Sequence, residues 1–374
     1  VADSHPEISN VLKSDFYMDD LITGMDDLKK AKEFQTILKD NLSKFGFNLR
    51  KWCSNDKKLL ENIPTEDIEY ERPFFGESIK TLGILWNPSK DNFTINTKEI
   101  IIKEFVTKRQ VASDCGQIFD PLGLVNPVVV KAKLLLQTLW SGKLDWDTKL
   151  PENWTDEWNK FRNEIHLLNS LNIPRKIVID KYKTLELHGF SDASEKAYGA
   201  AVYVRSINSS NQIKVQLLCS KSKVSPILKK TLARLELCAA VLLSKLIHKL
   251  LSIVKVKFDN IYYWTDSSIA LAWIQLPSAN LKTFVANRVA AIQEITSVDD
   301  WRHIDGKLNP ADIVSRGIYP SDLLKSDIWF NGPLFLKDSK EDWPKSKVEY
   351  TSTDYKDEIK TPALTCLMLN ENSN

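Results

Sequence analysis

LELHGFSDASEKAYGAAVYVRSINSSNQIKVQLLCS, residues 185–220, decides the fold. Three runs within it, LELHGFSD, YGAAVYVR and IKVQLLCS, are short, rich in β-forming residues and alternating, as strands are. Asn208-Ser209-Ser210-Asn211 supplies a hairpin loop between the second and third. Downstream, residues 227–251 carry the apolar stripe of a long amphipathic helix. Ile261–Thr265 predicts a strand, Ser267–Ile274 and Phe284–Thr296 predict helices, and Trp301–Ile304 predicts a last strand before a final helix or turn. Three antiparallel strands followed by helix, strand, two helices and strand make an α/β (α+β) domain, with a mixed sheet and flanking helices, over residues 181–317.

Four acids in this stretch stand where apolar residues are the norm. Asp192 lies just past the first strand, Glu236 inside the long helix, Asp266 at the end of the fourth strand, and Asp312 after the last, in NPADIVSRG. Asp and Glu are seldom buried unless counter-charged. Taken singly, each is an ordinary surface acid. Taken together in this order, they point to carboxylates converging near strand ends, whose repulsion divalent cations relieve. Mg²⁺ suits such oxygen ligands. Two ions about 4 Å apart can activate a water and stabilise the leaving oxygen of a phosphodiester.

The charge distribution fits a polyanionic partner. The chain of 374 residues has a net charge of +2, but residues 181–317 hold 19 Lys and Arg against 11 Asp and Glu, and both flanks are mildly acidic. Lys221, Lys223, Lys229, Lys230 and Arg234 cluster ahead of Glu236, as a phosphate-tracking surface or a solvated face. Five scattered cysteines with no CxxC pair support neither a disulfide framework nor a zinc site. No apolar run reaches the ~18 residues of a membrane span, so no membrane partner is expected.

Elsewhere, SDFYMDDLIT (14–23) reads as a hairpin with Asp19 and Asp20 at its tip. A helix is expected over Met25–Phe45, capped by Gly46, then a strand at Phe47–Trp52 and a strand pair at Lys80–Trp86 and Asn92–Ile95. Residues 98–140 read as two helices broken at DPLGLVNP, and Trp140, Trp146, Trp154 and Trp158 as packing residues. Beyond Gly317 the chain is polar and Pro-punctuated, and 338–374 reads as linker or disorder.

FSDASEKAYGAAVYVR, LARLELCAA, YYWTDSSIALAWI and WRHIDGKLNPADIVSRG closely resemble the ribonuclease H region of BEL/Pao-type LTR retrotransposons. The resemblance implies that Asp192, Glu236, Asp266 and Asp312 bind two Mg²⁺ ions, with Mn²⁺ as a substitute, and cut the RNA strand of an RNA–DNA hybrid. It implies supporting or substrate-contacting roles for Ser194, Ser267, Asn309, Ser315 and Arg316. Cellular ribonucleases H carry a Gly-His loop where this chain has Gly306-Lys307. A lysine there binds phosphate but does not shuttle protons near neutral pH, so slower turnover is expected. His303 reads as a packed strand residue.

Tyr17-Met18-Asp19-Asp20 resembles the YxDD signature of reverse transcriptases, and Lys51 and Leu82-Gly83 resemble later palm motifs. Only sixteen residues precede Tyr17, so no DNA synthesis by this chain alone is expected. The segment 98–180 resembles the family's thumb and connection, a region often labelled an aspartic peptidase, but the Asp-Thr/Ser-Gly loop of such peptidases is missing. IYPSDLLKSDIWFNGPLFLK resembles the family's bridge toward integrase. The resemblance therefore divides the chain into a palm remnant (1–60), thumb and connection (61–180), ribonuclease H-like domain (181–317) and linker (318–374). Its implied partners are the hybrid and the upstream polymerase and downstream integrase segments, in the cytoplasm, in retroelement particles or in the nucleus. An inactive nucleic-acid-binding relic and an aspartic peptidase are the alternatives.

Overall fold

The computed structural model of the chain describes residues 6–69, 78–97, 105–345 and 354–361. The remainder of the expected tail, 346–353 and 362–374, lies outside them, as does the start of the 98–140 stretch. The chain divides into two compact units. One comprises Val1–Ile102, Gln117–Pro121 and Arg162–Lys176, the other Lys103–Gly116, Leu122–Phe161 and Ile177–Asn374.

In the first unit, helix α1 (Pro6–Ser14) leads into a hairpin of β1 (Phe16–Tyr17) and β2 (Asp20–Leu21). Tyr17 pairs with Asp20, so the turn is Met18-Asp19, one residue earlier than expected, and Met18 takes a φ of 54°. Helix α2 (Leu28–Lys44) starts where the Asp27 side chain accepts the Lys30 N–H. It ends at Gly46, with φ 81°, where the Gly46 and Phe47 N–H groups return to the carbonyls of Ser43 and Leu42. Ile8, Val11, Phe34 and Leu38 form the small core between these helices. The expected strand at Phe47–Trp52 does not form. Trp52 makes a single bridge to Ile68, and Lys51, with φ 57°, turns the chain out of extended geometry. The expected strand at Lys80–Trp86 is split into β3 (Ile79–Thr81) and β4 (Ile84–Asn87), because Leu82 and Gly83 both take positive φ and close a tight hairpin. Strand β5 (Asn92–Thr94) extends this antiparallel sheet.

The second unit takes up the chain at helix α3 (Lys108–Cys115), capped by Thr107, and continues with α4 (Asn126–Ser141) and α5 (Glu152–Glu164). After β6 (Asn172–Pro174), which closes the first unit's sheet beside β5, come the three long strands. These are β7 (Tyr182–Ala193), β8 (Ala197–Asn208) and β9 (Ile213–Val224). Helix α6 (Leu232–Ile253) starts five residues later than the periodicity suggests, with Thr231 at its N-cap position. Strand β10 (Asn260–Thr265), helices α7 (Ser268–Gln275) and α8 (Thr283–Gln293), strand β11 (Trp301–His303) and helix α9 (Ala311–Arg316) follow. The sheet order is β11-β10-β7-β8-β9. β7, β8 and β9 are antiparallel, while β10 runs parallel to both β7 and β11. This is the mixed α/β architecture that the sequence predicts.

Strand alternation sorts the sheet's two faces. Leu185 and Leu187 enter a core with Leu237, Leu243 and Ile247 of α6, Leu271 of α7 and Val285 and Val289 of α8. The other face presents Glu186, His188 and Phe190 beside Tyr203, Arg205, Tyr262 and Trp264. Here residues 318–343, expected as part of a linker, are packed structure instead. Helices α10 (Pro320–Leu324) and α11 (Asp327–Asn331) and the turns after them cover this face with Trp329, Phe335, Leu336 and Trp343, all buried. Arg205 is buried against Glu186 at 2.6 Å and donates to the carbonyls of Leu336 and Asp338. Aromatic area, not periodicity, makes this segment fold, since its turns are too short to show a helical stripe.

Helix α4 also belongs to this unit, although the sequence reading placed it in a connection. The Asp120-Pro121-Leu122-Gly123 turn forms as expected, and its second half docks on edge strand β9. The Ser220 N–H donates to the Leu122 carbonyl, and Asn126 bonds both Ser220 and Ser222. A Cβ on Gly123, whose φ is 74°, would lie 2.1 Å from the Ser220 carbonyl oxygen, so only glycine fits. The edge that β9 would otherwise expose is thereby covered.

Candidate active site

Asp192 is not past the first strand but inside it, opposite Gly199 on β8. β10 is parallel to β7 and ends at Thr265, which delivers Asp266 beside it. Glu236 reaches the same place from the second turn of α6, whose apolar faces lock it onto the sheet. Carboxylate oxygens of these three residues lie within 4.8 Å of one another. Asp192 and Glu236 are buried, at 4% and 8% exposure, and Asp266 is half-buried.

Burial and mutual repulsion act on all three. Burial, then the neighbouring Asp266, pushes Asp192 up to about 7, with Asp312 adding and the Ser315 hydroxyl opposing. Glu236 is pushed up to about 9, first by burial, then by Asp192 and Asp266, although it accepts the Ala193 backbone N–H. Asp266 is raised chiefly by burial. One oxygen of Glu236 and one of Asp266 are buried without a hydrogen-bond partner among the described residues. Buried, crowded carboxylates with unpartnered oxygens fit a divalent metal.

Asp312 stands in the first turn of α9, close enough to raise Asp192 and Glu236, but it is not one of the three converging groups. Its Oδ1 accepts from the Arg316 guanidinium four residues on, and Arg316 itself stays exposed at the edge of the cluster. The supporting residues form a lattice around the acids. The Ser315 hydroxyl donates to Asp192 Oδ2, Ser194 Oγ donates to the Ser315 carbonyl at 2.7 Å, and Asn309 Nδ2 donates to the Ser191 carbonyl at 3.0 Å. Ser267 caps α7 by accepting the Ala270 N–H. His303 is half-buried on β11, with Nε2 3.1 Å from the Asp266 carbonyl oxygen.

Gly306 has a role of its own, distinct from the phosphate contact expected of Lys307. A Cβ there would sit 2.9 Å from Asp266 Oδ2, so its bare backbone leaves room beside the carboxylate. The signal is the glycine of the Gly306-Lys307 pair, in a loop that returns to the acids. Lys307 is exposed next to it. Among the basic residues, Lys221, Lys223 and Lys229 are exposed, whereas Lys230 and Arg234 are half-buried over the Phe284 ring. Asp19 and Asp20 lie exposed on the first unit's hairpin.

Residues 107–267 match the family described as the Pao retrotransposon-like RNaseH-like domain, so the chain carries such a domain there. The match begins at the N-cap of α3 and includes Asp192, Glu236 and Asp266, with Asp312 beyond it. No curated protein matches the sequence. Among solved structures, RNase H1 of Halobacterium salinarum is similar at 13% identity and a TM-score of 0.22, over 34% of this chain and 90% of that one. LC11-RNase H1, solved in complex with an RNA/DNA hybrid, is similar at 15% and 0.25, over 35% and 93%. An N-terminal RNase H domain from Mycobacterium tuberculosis is similar at 8% and 0.24, over 38% and 96%.

Proposed function

We propose that the second unit hydrolyses the RNA strand of RNA–DNA hybrids, as the ribonuclease H of a BEL/Pao-type retroelement polyprotein. The observation that carries this is the convergence of Asp192, Glu236 and Asp266 with unpartnered buried oxygens. These three, with Asp312 at the margin, would hold two Mg²⁺ or Mn²⁺ ions. The bound metals would supply an activated water and neutralise charge on the phosphate.

The chain's own groups do the remaining work. Ser315 fixes the Asp192 carboxylate, and Ser194 in turn fixes Ser315, so α9 and β7 hold one geometry. Asn309 ties the loop before α9 to β7 through the Ser191 carbonyl. Gly306 keeps space open at Asp266, and Lys307 offers a phosphate contact at the rim. Lys221, Lys223 and Lys229 are the exposed cations for the hybrid backbone, which is read by shape and charge rather than by base. The YMDD hairpin of the first unit is the mark of a polymerase ancestry in this reading.

The test is cleavage of a labelled hybrid by the purified chain, with Mg²⁺ or EDTA, beside Asp266→Asn. Metal-dependent cutting of the RNA strand that the substitution abolishes supports the proposal. Hybrid binding without cutting would replace it with a nucleic-acid-binding role alone.

A further inference from the structure

The Phe284 ring at the start of α8 gathers three cations. Arg288 Cζ lies 3.5 Å from the ring centroid, Lys230 Nζ 4.8 Å and Arg234 Cζ 4.9 Å. One carboxylate reaches Arg234. Glu358 Oε1 accepts from both Nε and Nη2 of Arg234, at 2.7 and 2.6 Å. Its residue is 9% exposed, and its Oε2 is buried without a hydrogen-bond partner among the described residues. Arg234 thus pairs with an anion that uses only one of its two oxygens, while Arg288 donates to the Phe284 carbonyl and to Cys238 Sγ. A guanidinium fork with two further cations at the same ring matches a phosphate, which offers more acceptor oxygens than this carboxylate uses.

The segment bringing Glu358 is held by backbone groups and by Tyr355 and Ile359, whose side chains pack partly buried against the main core. The Lys282 N–H donates to the Glu358 carbonyl at 2.7 Å, the Lys360 N–H to the Asn280 carbonyl at 2.8 Å, and Trp273 Nε1 to the Tyr355 carbonyl at 2.8 Å. Parting them frees the Trp273 indole N–H and uncovers Tyr355 and Ile359, so the exchange has a cost that a bound phosphate must offset. Arg234 stands two residues before Glu236 on the same helix.

The geometry points to an anion seat on the Phe284 face that the chain's own Glu358 fills and that a backbone phosphate of bound nucleic acid takes when residues 354–361 give way. The phosphate as competitor rests on the nucleic-acid reading above. The acidic segment is then a self-occupying competitor that sets the threshold for nucleic-acid binding. A plain structural brace predicts the opposite response to its removal.

Binding of a labelled single-stranded DNA oligonucleotide reads the seat without depending on hybrid cleavage. Removing the Glu358 charge abolishes the competition, so Glu358→Gln is expected to bind DNA about five-fold more tightly at low salt, with the gain fading as salt is raised. The gain should be absent when Arg234→Ala is added. Unchanged or weaker binding by a folded Glu358→Gln protein, as judged by its thermal melt, overturns the proposal. The wild-type chain gives a second test that needs no variant. Saturating DNA should speed hydrogen exchange at the Ile359 and Lys360 amides, and unchanged exchange also overturns the proposal. Absence of hybrid cleavage would remove the ribonuclease reading while leaving both of these results standing.

Discussion

Two sets of aspartates in this chain invite the same interpretation and meet different surroundings. Asp19 and Asp20 sit on a hairpin of two-residue strands, exposed together with Tyr17 and Met18. Asp192 and Asp266 sit at the ends of a parallel strand pair, with Glu236 brought in by a helix locked to the sheet, and their oxygens crowd within 4.8 Å. Adjacency in sequence gives the first pair its motif. Convergence from three distant elements gives the second set its chemistry. Carboxylates become a site when the fold makes their charge costly, and only the second set has that.

The largest effect that sharpens this contrast is on cleavage. Asp192→Asn should lower hybrid hydrolysis about a thousandfold or more, whereas Asp19→Asn combined with Asp20→Asn should leave it unchanged. A single-turnover assay with matched protein folding checks both. Equal losses would break the comparison.

Next in size is the aromatic cover of the sheet that carries Asp192. Trp343→Ala should cost about 3 to 5 kcal/mol, because it empties a buried position against His188, Tyr262 and Trp264. Denaturant melts measure this, and a cost near zero would return the segment to the status of a linker.

The third effect is a pH-dependent one with a definite sign. Glu236 is pushed up from 4.5 to about 9 in the fold, so its proton is held more tightly in the native state. Its favourable contribution is complete below about 4.5 and is lost as pH rises toward 9. Without metal, Glu236→Gln should therefore match the wild type near pH 4.5 and be more stable than it near pH 8, by an amount on the order of a few kcal/mol. Adding Mg²⁺ should stabilise the wild type more than the variant and more at pH 8 than at pH 5. Thermal melts across that range decide it, and a pH-independent difference would sink the crowding argument. At the small end, Met18→Ser on the exposed hairpin should change stability by less than about 0.5 kcal/mol in the same melts.

Much of the second unit was legible in the residues. Alternation in 185–220 gave three strands, and Glu236, flanked by Leu235 and Leu237, announced an acid turned toward the interior. What periodicity does not carry was missed. The Phe47–Trp52 run has β-forming residues but no partner strand, and pairing is what makes a strand. Asp312 reads like its three counterparts and acts on Asp192 and Glu236, but its pairing with Arg316 one turn on is a matter of side-chain geometry that no period shows. The cover of Trp329, Phe335 and Trp343 was read as linker, because irregular turns show no period and their aromatic residues look like scattered exceptions in a polar stretch.

That cover also governs how the protein can be cut. A fragment ending at Gly317, the boundary that motif matching suggests, would present Tyr203, Trp264 and Phe190 to water and leave Arg205 without two of its acceptors. Such a fragment would hold every acid of the site and still precipitate. A C-terminal trim that keeps the sheet covered is expected to stop beyond Trp343.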